Sequence, residues 1–369
     1  MFRSFYLAGF ECATGYNAHG EWIDQVAATQ HDQHAETDYE LLARADIHAI
    51  REAIRWPLVD GDRGYDFSSV RPFVRAALKY DFDVIWDLFH YGYPDKLDLF
   101  SSEFERRFAD YCHAASLFIK KSTPGPHYFT PINEPSYFSW AAGHVGRFAP
   151  HAHGRGGELK VALARAAIAG IAAIRDACPD ARIVTVDPIC HVVPADDRPE
   201  TVEAAHRFNQ RDVFEFWDMM AGLVRPELGG SLAHLDIVGI NYYWTNQWVH
   251  GTEGTPLHDD DPRRLPFGNL VRRVHDRYGT DLVITETSAL GEKRAPWVHE
   301  LSLMAGELLE ACIPLLGICL YPILGMPEWH ARDQWTQMGL WELEHEQDVL
   351  RRKVCLPMMN ALRRAQQAQ

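Results

Sequence analysis

Two carboxylates stand in this sequence where a strand would end. Residues 127–133, HYFTPIN, form a short apolar run that leads into Asn133 and Glu134 and is then stopped by Pro135; residues 282–286, LVITE, close on Glu286 before Thr287 and Ser288. A carboxylate at the end of a buried strand is costly unless something pairs it or uses it. Taken alone, TPINEPSYF also reads as a polar loop entry stopped by a proline. Taken together, the two segments offer a pair of carboxylic acids. Such a pair facing across a sugar-sized cleft is what glycoside hydrolysis requires, one acid protonating the leaving oxygen while the other attacks or activates water. The competing reading is a charge network that pairs both glutamates with Arg51 and Arg55.

Something must bring Glu134 and Glu286 together, and the rhythm of the chain supplies it. Strand-like apolar runs at 4–10, 48–56, 82–89, 127–133, 181–187, 235–243, 282–286 and 315–323 alternate with helix-like segments near 36–46, 68–80, 101–121, 159–178, 200–222, 266–278, 297–312 and 348–364. Serines at 68, 69, 101 and 102 read as helix start signals. Strands this apolar do not suit a half-exposed antiparallel sheet, so eight strand-helix pairs point to an α/β fold, a (β/α)8 TIM barrel, with a doubly wound open sheet as the alternative. No linker or low-complexity tract divides the chain, which reads as one catalytic domain over 1–369 with a frayed tail after about 363. Extra length falls at 135–158, 188–199 and 244–265, after strands four, five and six, on the face where a barrel builds its site. To that face the strand ends also deliver Arg51, Arg55 and Trp56, His90, Asn241 and Tyr243, and Glu328 with Trp329. Glu134 and Glu286 then lie across the barrel mouth from each other.

Composition narrows the partners. The chain has 369 residues, 47% hydrophobic and 24% charged, ordinary for a globular protein with a full-sized core. Its 51 acidic against 36 basic residues give a formal charge of -15, which repels nucleic acid and anionic membranes. Seven widely spaced cysteines without a CxxC pair suggest neither a disulfide framework nor a zinc site. MFRSFYLAGFECATG is too short and too soon broken for a signal peptide, no run approaches a membrane span, and a reducing cytoplasm fits these features. His151-Ala152-His153 and His31-x-x-His34 invite a metal reading, but the first lies in a long Gly-rich loop and not at a strand end, so neither metal nor cofactor is expected. The acidic run 258–261 reads as a solvated loop, and Cys12 has no placed base to make it a nucleophile.

The motifs resemble the retaining β-glycosidases of clan A, most closely glycoside hydrolase family one, the β-glucosidase and β-galactosidase family. Thr130-Pro131-Ile132-Asn133-Glu134-Pro135 is similar to that family's Thr-x-Asn-Glu-Pro with one residue more, and Ile284-Thr285-Glu286-Thr287-Ser288 to its Ile-Thr-Glu-Asn-Gly. Arg51 to Trp56 resembles the second-strand pattern Arg-Phe-Ser-Ile-x-Trp. Leu88-Phe89-His90-Tyr91-Gly92-Tyr93-Pro94 resembles Leu-x-His-Trp-x-x-Pro, and Gly239-Ile240-Asn241-Tyr242-Tyr243 matches Gly-x-Asn-Tyr-Tyr. The resemblance implies Glu134 as acid/base, Glu286 as nucleophile, Arg51 and Tyr243 as its supports, and His90 on the sugar. It further implies Glu328 as hydroxyl clamp and Trp329 as stacking platform. Asn133, beside Glu134, is suited to bond the 2-hydroxyl, and Trp56, Tyr91, Trp140, Trp244, Trp248 and Trp329, at or just past strand ends, suit sugar faces as a set, while each alone reads equally as core or loop packing. A carboxylate at Glu328 would repel a phosphate, so a neutral sugar is expected in a small-molecule or oligosaccharide β-glycoside substrate. Three departures mark a divergent, short branch. No Gln follows the first strand, where Glu11 and Asn17 stand instead; Thr287-Ser288 replaces Asn-Gly; and Tyr321-Pro322 replaces a Trp-Ser pair. An endo-acting glycanase, a transglycosidase and a silent carbohydrate-binding barrel are the alternatives, and the choice of sugar and a homo-oligomeric state stay open.

Overall fold

The computed structural model describes residues 2–252 and 255–368. Eight short strands lie parallel in it, each paired with the next around a closed ring: β1 Tyr6–Gly9, β2 Ala49–Ala53, β3 Asp83–Asp87, β4 Tyr128–Thr130, β5 Arg182–Pro188, β6 Ile237–Tyr243, β7 Asp281–Ser288 and β8 Leu315–Leu320. The alternation read from the sequence is therefore a (β/α)8 barrel. Side chains of one parity, among them Leu7, Ala49, Ile85, Val184, Ile237, Val283 and Cys319, fill its interior. Those of the other parity, such as Tyr6, Ile50, Trp86, Phe129, Val238, Ile284 and Leu320, pack under the helices. Burial on both sides explains why these strands read as continuous apolar runs.

The helices are α1 His31–Arg44, α2 Arg71–Tyr80, α3 Ser102–Ser122, α4 Gly156–Ala177, α5 Pro199–Gln210, α6 Phe267–Tyr278, α7 Arg294–Glu310 and α8 Leu356–Gln367. Four expectations are corrected here. The segment 200–222 is broken: α5 ends at Gln210, and a separate helix, Glu215–Ala221, follows a short 3-10 turn. Residues 348–355 are not helical; Trp341–Glu346 and Val349–Val354 form an antiparallel hairpin, and α8 begins only at Leu356 with Pro357 in its first turn, where a proline needs no hydrogen bond. The end is not frayed after 363 either. α8 continues to Gln367 with Ala365 buried, and the Gln366 amide donates to the carbonyls of Ala45 and Asp46, just past the end of α1. The serine start signals also fail as caps, since neither α2 nor α3 receives a side-chain cap; Ser101 Oγ donates to the Asp98 carbonyl instead.

The long loops expected after β5 and β6 pair with each other, His191–Val193 running parallel to Gln247–Val249 above the barrel. The loop after β4 coils into Pro135–Phe138 and Ser139–His144. Among the described residues no helix is long and apolar enough to cross a membrane.

Candidate active site

Arg51, on β2 and 1% exposed, points up the barrel axis and organises the mouth. Its Nη1 pairs with Glu286 Oε1, and its Nη2 donates at 2.6 Å both to Asp87 Oδ2 and to Asn133 Oδ1. Burial opposes its charge, but Asp87 and Glu286 outweigh that and hold it well above even arginine's ordinary value. Glu286 reaches the guanidinium because the β6–β7 ladder shifts register: Ile240 faces Ile284, yet the next residue, Asn241, faces Glu286. Such an irregularity re-aims a side chain at a barrel rim. The second oxygen of Glu286 accepts the Tyr243 hydroxyl at 2.8 Å, and burial followed by the charge of Glu286 raises that phenol's pKa, so it stays a donor.

Glu134 sits at the opposite rim in a left-handed backbone conformation, φ 45°, costing about 1–3 kcal/mol for a residue with a Cβ. Its neighbours fix the turn. Asn133 N–H bonds to the Phe89 carbonyl at 2.9 Å, and Ser136 N–H bonds at 3.0 Å to Asp187 Oδ1 at the end of β5. The Glu134 carboxyl takes the Asn241 amide at 3.0 Å and the Tyr91 hydroxyl at 2.8 Å. Burial first, and then the charge of Glu286, push its pKa up to about 8. The result is an acid that keeps its proton at neutral pH beside an ion-paired carboxylate, a pairing that can deliver a proton and a nucleophile to one bond.

Asn133 joins the two halves. Its carbonyl oxygen is taken by Arg51 and, at 3.2 Å, by Asn241, so its amide nitrogen faces His90 Nε2, also at 3.2 Å. That orientation calls for a hydrogen on His90 Nδ1, which lies 2.9 Å from Asp87 Oδ2 and 3.2 Å from Cys12 Sγ. Cys12 Sγ thus faces a protonated nitrogen that cannot serve it as a base, and burial pushes its thiol up to about 11, leaving it a poor nucleophile. Tyr321 lies below, its ring stacked 6.1 Å from His90 and 5.5 Å from the Arg51 guanidinium.

Other expected residues separate. Trp56 is not at the site: it is 1% exposed among Phe89, Phe104, Phe108 and Tyr111, with Nε1 donating to Asp60. Arg55 pairs with Asp24, which removes the charge-network reading for that arginine. Trp329 joins an aromatic wall, 5.8 Å from Tyr91 and 5.6 Å from Phe148, while Glu328 beside it is exposed. Asn17 is a loop tie, donating to the Trp329 carbonyl at 3.0 Å. Trp140 lies 5.9 Å from Tyr137 under Arg147, Trp244 neighbours Tyr243, and Trp248 packs on Phe208 away from the carboxylates. Neither histidine pair builds a metal cluster: His31 is locked between Asp38 and Glu52, and His151 bonds to the Gly146 carbonyl. Cys12, Asp87 and His90 do lie close enough to share an ion, but the Arg51 cation already occupies Asp87. Asp87 and Asp187 went unread in the sequence; each is an acid closing an otherwise apolar strand, the same signal that marks Glu286.

No family model and no curated protein matches the chain. Solved structures do. A Thermotoga maritima β-glucosidase bound to glucoimidazole shares 15% identity over 99% of this chain and 98% of that one, with a TM-score of 0.82. The barrel has the fold of that enzyme. The family 1 β-glucosidase of Thermotoga maritima superposes at a TM-score of 0.81 over 99% and 97% of the two chains, and its complex with deoxynojirimycin at 0.81 over 99% and 98%, again at 15% identity.

Proposed function

We propose that this chain is a retaining β-glycosidase, a single catalytic unit that removes one neutral sugar from the end of a β-glycoside. The observation that carries the reading is the unequal environment of two carboxyls in one hydrogen-bonded net, Glu134 raised to about 8 and Glu286 clamped by Arg51 and Tyr243. Glu286 attacks the anomeric carbon as the C–O bond breaks, and Glu134 gives its proton to the departing oxygen. With the sugar esterified to Glu286, the negative charge that raised the Glu134 pKa is gone; Glu134 then takes a proton from water, which releases the sugar. Asn133 bonds the 2-hydroxyl, a contact that strengthens as charge develops at the anomeric carbon. The carboxylates are only 8% and 4% exposed, which suits a closed pocket holding one terminal sugar better than an open cleft for a polymer. Fold relatives solved in complex with glucoimidazole and with deoxynojirimycin support the same class.

Glu286→Gln lowers kcat on activated aryl β-glycosides by several orders of magnitude, and near-normal turnover would remove Glu286 from the mechanism. A 2-fluoro-glycosyl reagent adds one sugar mass to the peptide containing Glu286; label elsewhere rules out the covalent intermediate proposed.

A further inference from the structure

At the base of the barrel, opposite the catalytic mouth, three donors of different chemistry converge. His127 immediately precedes β4, and Cys178 and Asp180 lie in the turn between α4 and β5, so all three sit where strands begin. His127 Nδ1 stands 3.4 Å from Asp180 Oδ2, and Cys178 Sγ stands 3.3 Å from Asp180 Oδ1. One donor atom from each residue lies within 4.8 Å of the others. Bonds of about 2.0 Å to nitrogen or oxygen and about 2.3 Å to sulfur set the donors of a tetrahedral zinc ion about 3.3–3.5 Å apart. The two separations match such edges to within about 0.2 Å.

The histidine supplies an independent observation. Its Nε2 faces the Thr123 carbonyl at 3.2 Å. A carbonyl only accepts, so Nε2 carries the hydrogen, and Nδ1 of the neutral ring is a bare lone pair. That lone pair is aimed at another acceptor, an oxygen of Asp180, whose pKa the Cys178 thiol, its own backbone and His127 hold below the ordinary carboxylate value. Two acceptors facing each other call for a cation between them. A ring that gives one nitrogen to a backbone carbonyl and turns the other to a carboxylate and a sulfur has the pose of a metal ligand. Gly125 leaves the room: a Cβ there would stand 3.3 Å from Asp180 Oδ2 and 3.4 Å from His127 Nδ1. His127 and Cys178 are buried, while exposed Asp180 opens the cluster to solvent.

We infer that His127, Cys178 and Asp180 bind a zinc ion, with water in the fourth position. Burial pushes the Cys178 thiol up to about 11, so it is protonated in the free protein. Binding breaks the S–H bond, forms the zinc–sulfur bond and releases one proton to solvent. Thiolate and carboxylate then balance the two charges of the ion, and Lys120, which donates to the Ala177 carbonyl at 3.3 Å, favours the thiolate. No short spacing announces this site, because only the fold sets residue 127 beside residues 178 and 180. The ion ties the start of β4 to the α4–β5 turn, at the end of a barrel that carries stability and not chemistry.

The test loads the chelator-treated full chain with Co2+ and with Zn2+. One Co2+ binds per chain with a sulfur-to-cobalt charge-transfer band in the near ultraviolet, and Zn2+ displaces it. Absence of the band overturns the inference, and so does a band that persists in Cys178→Ser, which would place the ion on another cysteine. Zinc at a hundredfold excess over its Kd raises Tm by about 3–4 °C; an unchanged Tm overturns the stabilising role. If Cys178→Ser does not fold, Asp180→Asn decides, since that side chain is exposed. A Kd for Zn2+ raised about tenfold or more supports the inference, whereas a Kd equal to that of the wild type shows that His127 and Asp180 form only an imidazolium–carboxylate pair and overturns it.

Discussion

At the scale of single residues, the proposed mechanism turns on one proton held by Glu134. An acid whose pKa lies near 8 is competent below that value, so kcat/KM for an aryl β-glycoside falls as pH rises through about 8. Burial and Glu286 raise this pKa, while the Tyr91 hydroxyl and the Asn241 amide lower it by bonding to the carboxylate. Tyr91→Phe removes one of those donors and moves the alkaline limb upward, read from the pH profile of kcat/KM; a downward shift would show that Tyr91 supports the protonated form. Glu134 and Glu286 were legible in the sequence because each closes an apolar run with a charge. Asp87 carries the same mark, but inside FDVIWDLF it reads as an interruption, and its value depends on which guanidinium the neighbouring strand aims at it. Only the register of β2 on β3, where Arg51 lies beside Ile85 and Ala53 beside Asp87, supplies that partner.

At the scale of elements, aromatic residues at strand ends divide between core and site on grounds that spacing cannot show. Trp56 follows β2 by three residues, yet the chain turns there into a short helix, Trp56–Val59, and swings the indole outward under α3. Trp56→Ala therefore costs about 3–5 kcal/mol of stability by opening a cavity, measured by denaturant unfolding, with KM per folded molecule unchanged. A raised KM without a stability loss would return Trp56 to the sugar. Close packing constrains β1 and β8 in the same way. A Cβ on Gly9 would run into the Tyr321 ring, and Tyr321 in turn floors His90 and Arg51. The hairpin at 341–354 was hidden for a different reason. Its Glu, Leu, Arg and Lys residues favour a helix locally, but cross-strand pairing, including Lys353 with Glu344 at 2.6 Å, overrides that preference.

At the scale of the whole molecule, a buried ionic network ties the barrel to that hairpin. His31 on α1 has no exposed area; its Nδ1 meets Asp38 at 2.7 Å and its Nε2 meets Glu52 of β2 at 3.0 Å. Tyr39 donates to Glu52 at 3.1 Å, and Arg352 of the hairpin donates to Asp38 at 2.7 Å. Burial alone would discharge the imidazole, but Glu52 and Asp38 together raise it to about 9. An unfolded histidine titrates near 6.5, so between these values the folded chain binds the extra proton and its stability falls as pH rises. The contribution, of order 3 kcal/mol, is complete below about pH 6.5 and is lost through about 9. Urea unfolding from pH 6 to 10 should show this decline, and His31→Gln should flatten it while lowering stability at pH 6. The neighbour of Glu52 is Arg51, so the same network braces the strand that carries the guanidinium between Glu286 and Asn133. An unchanged slope in His31→Gln would place the pH sensitivity elsewhere and reduce the network to packing, whereas a flattened slope with activity lost in step with folding makes the hairpin a brace for β2.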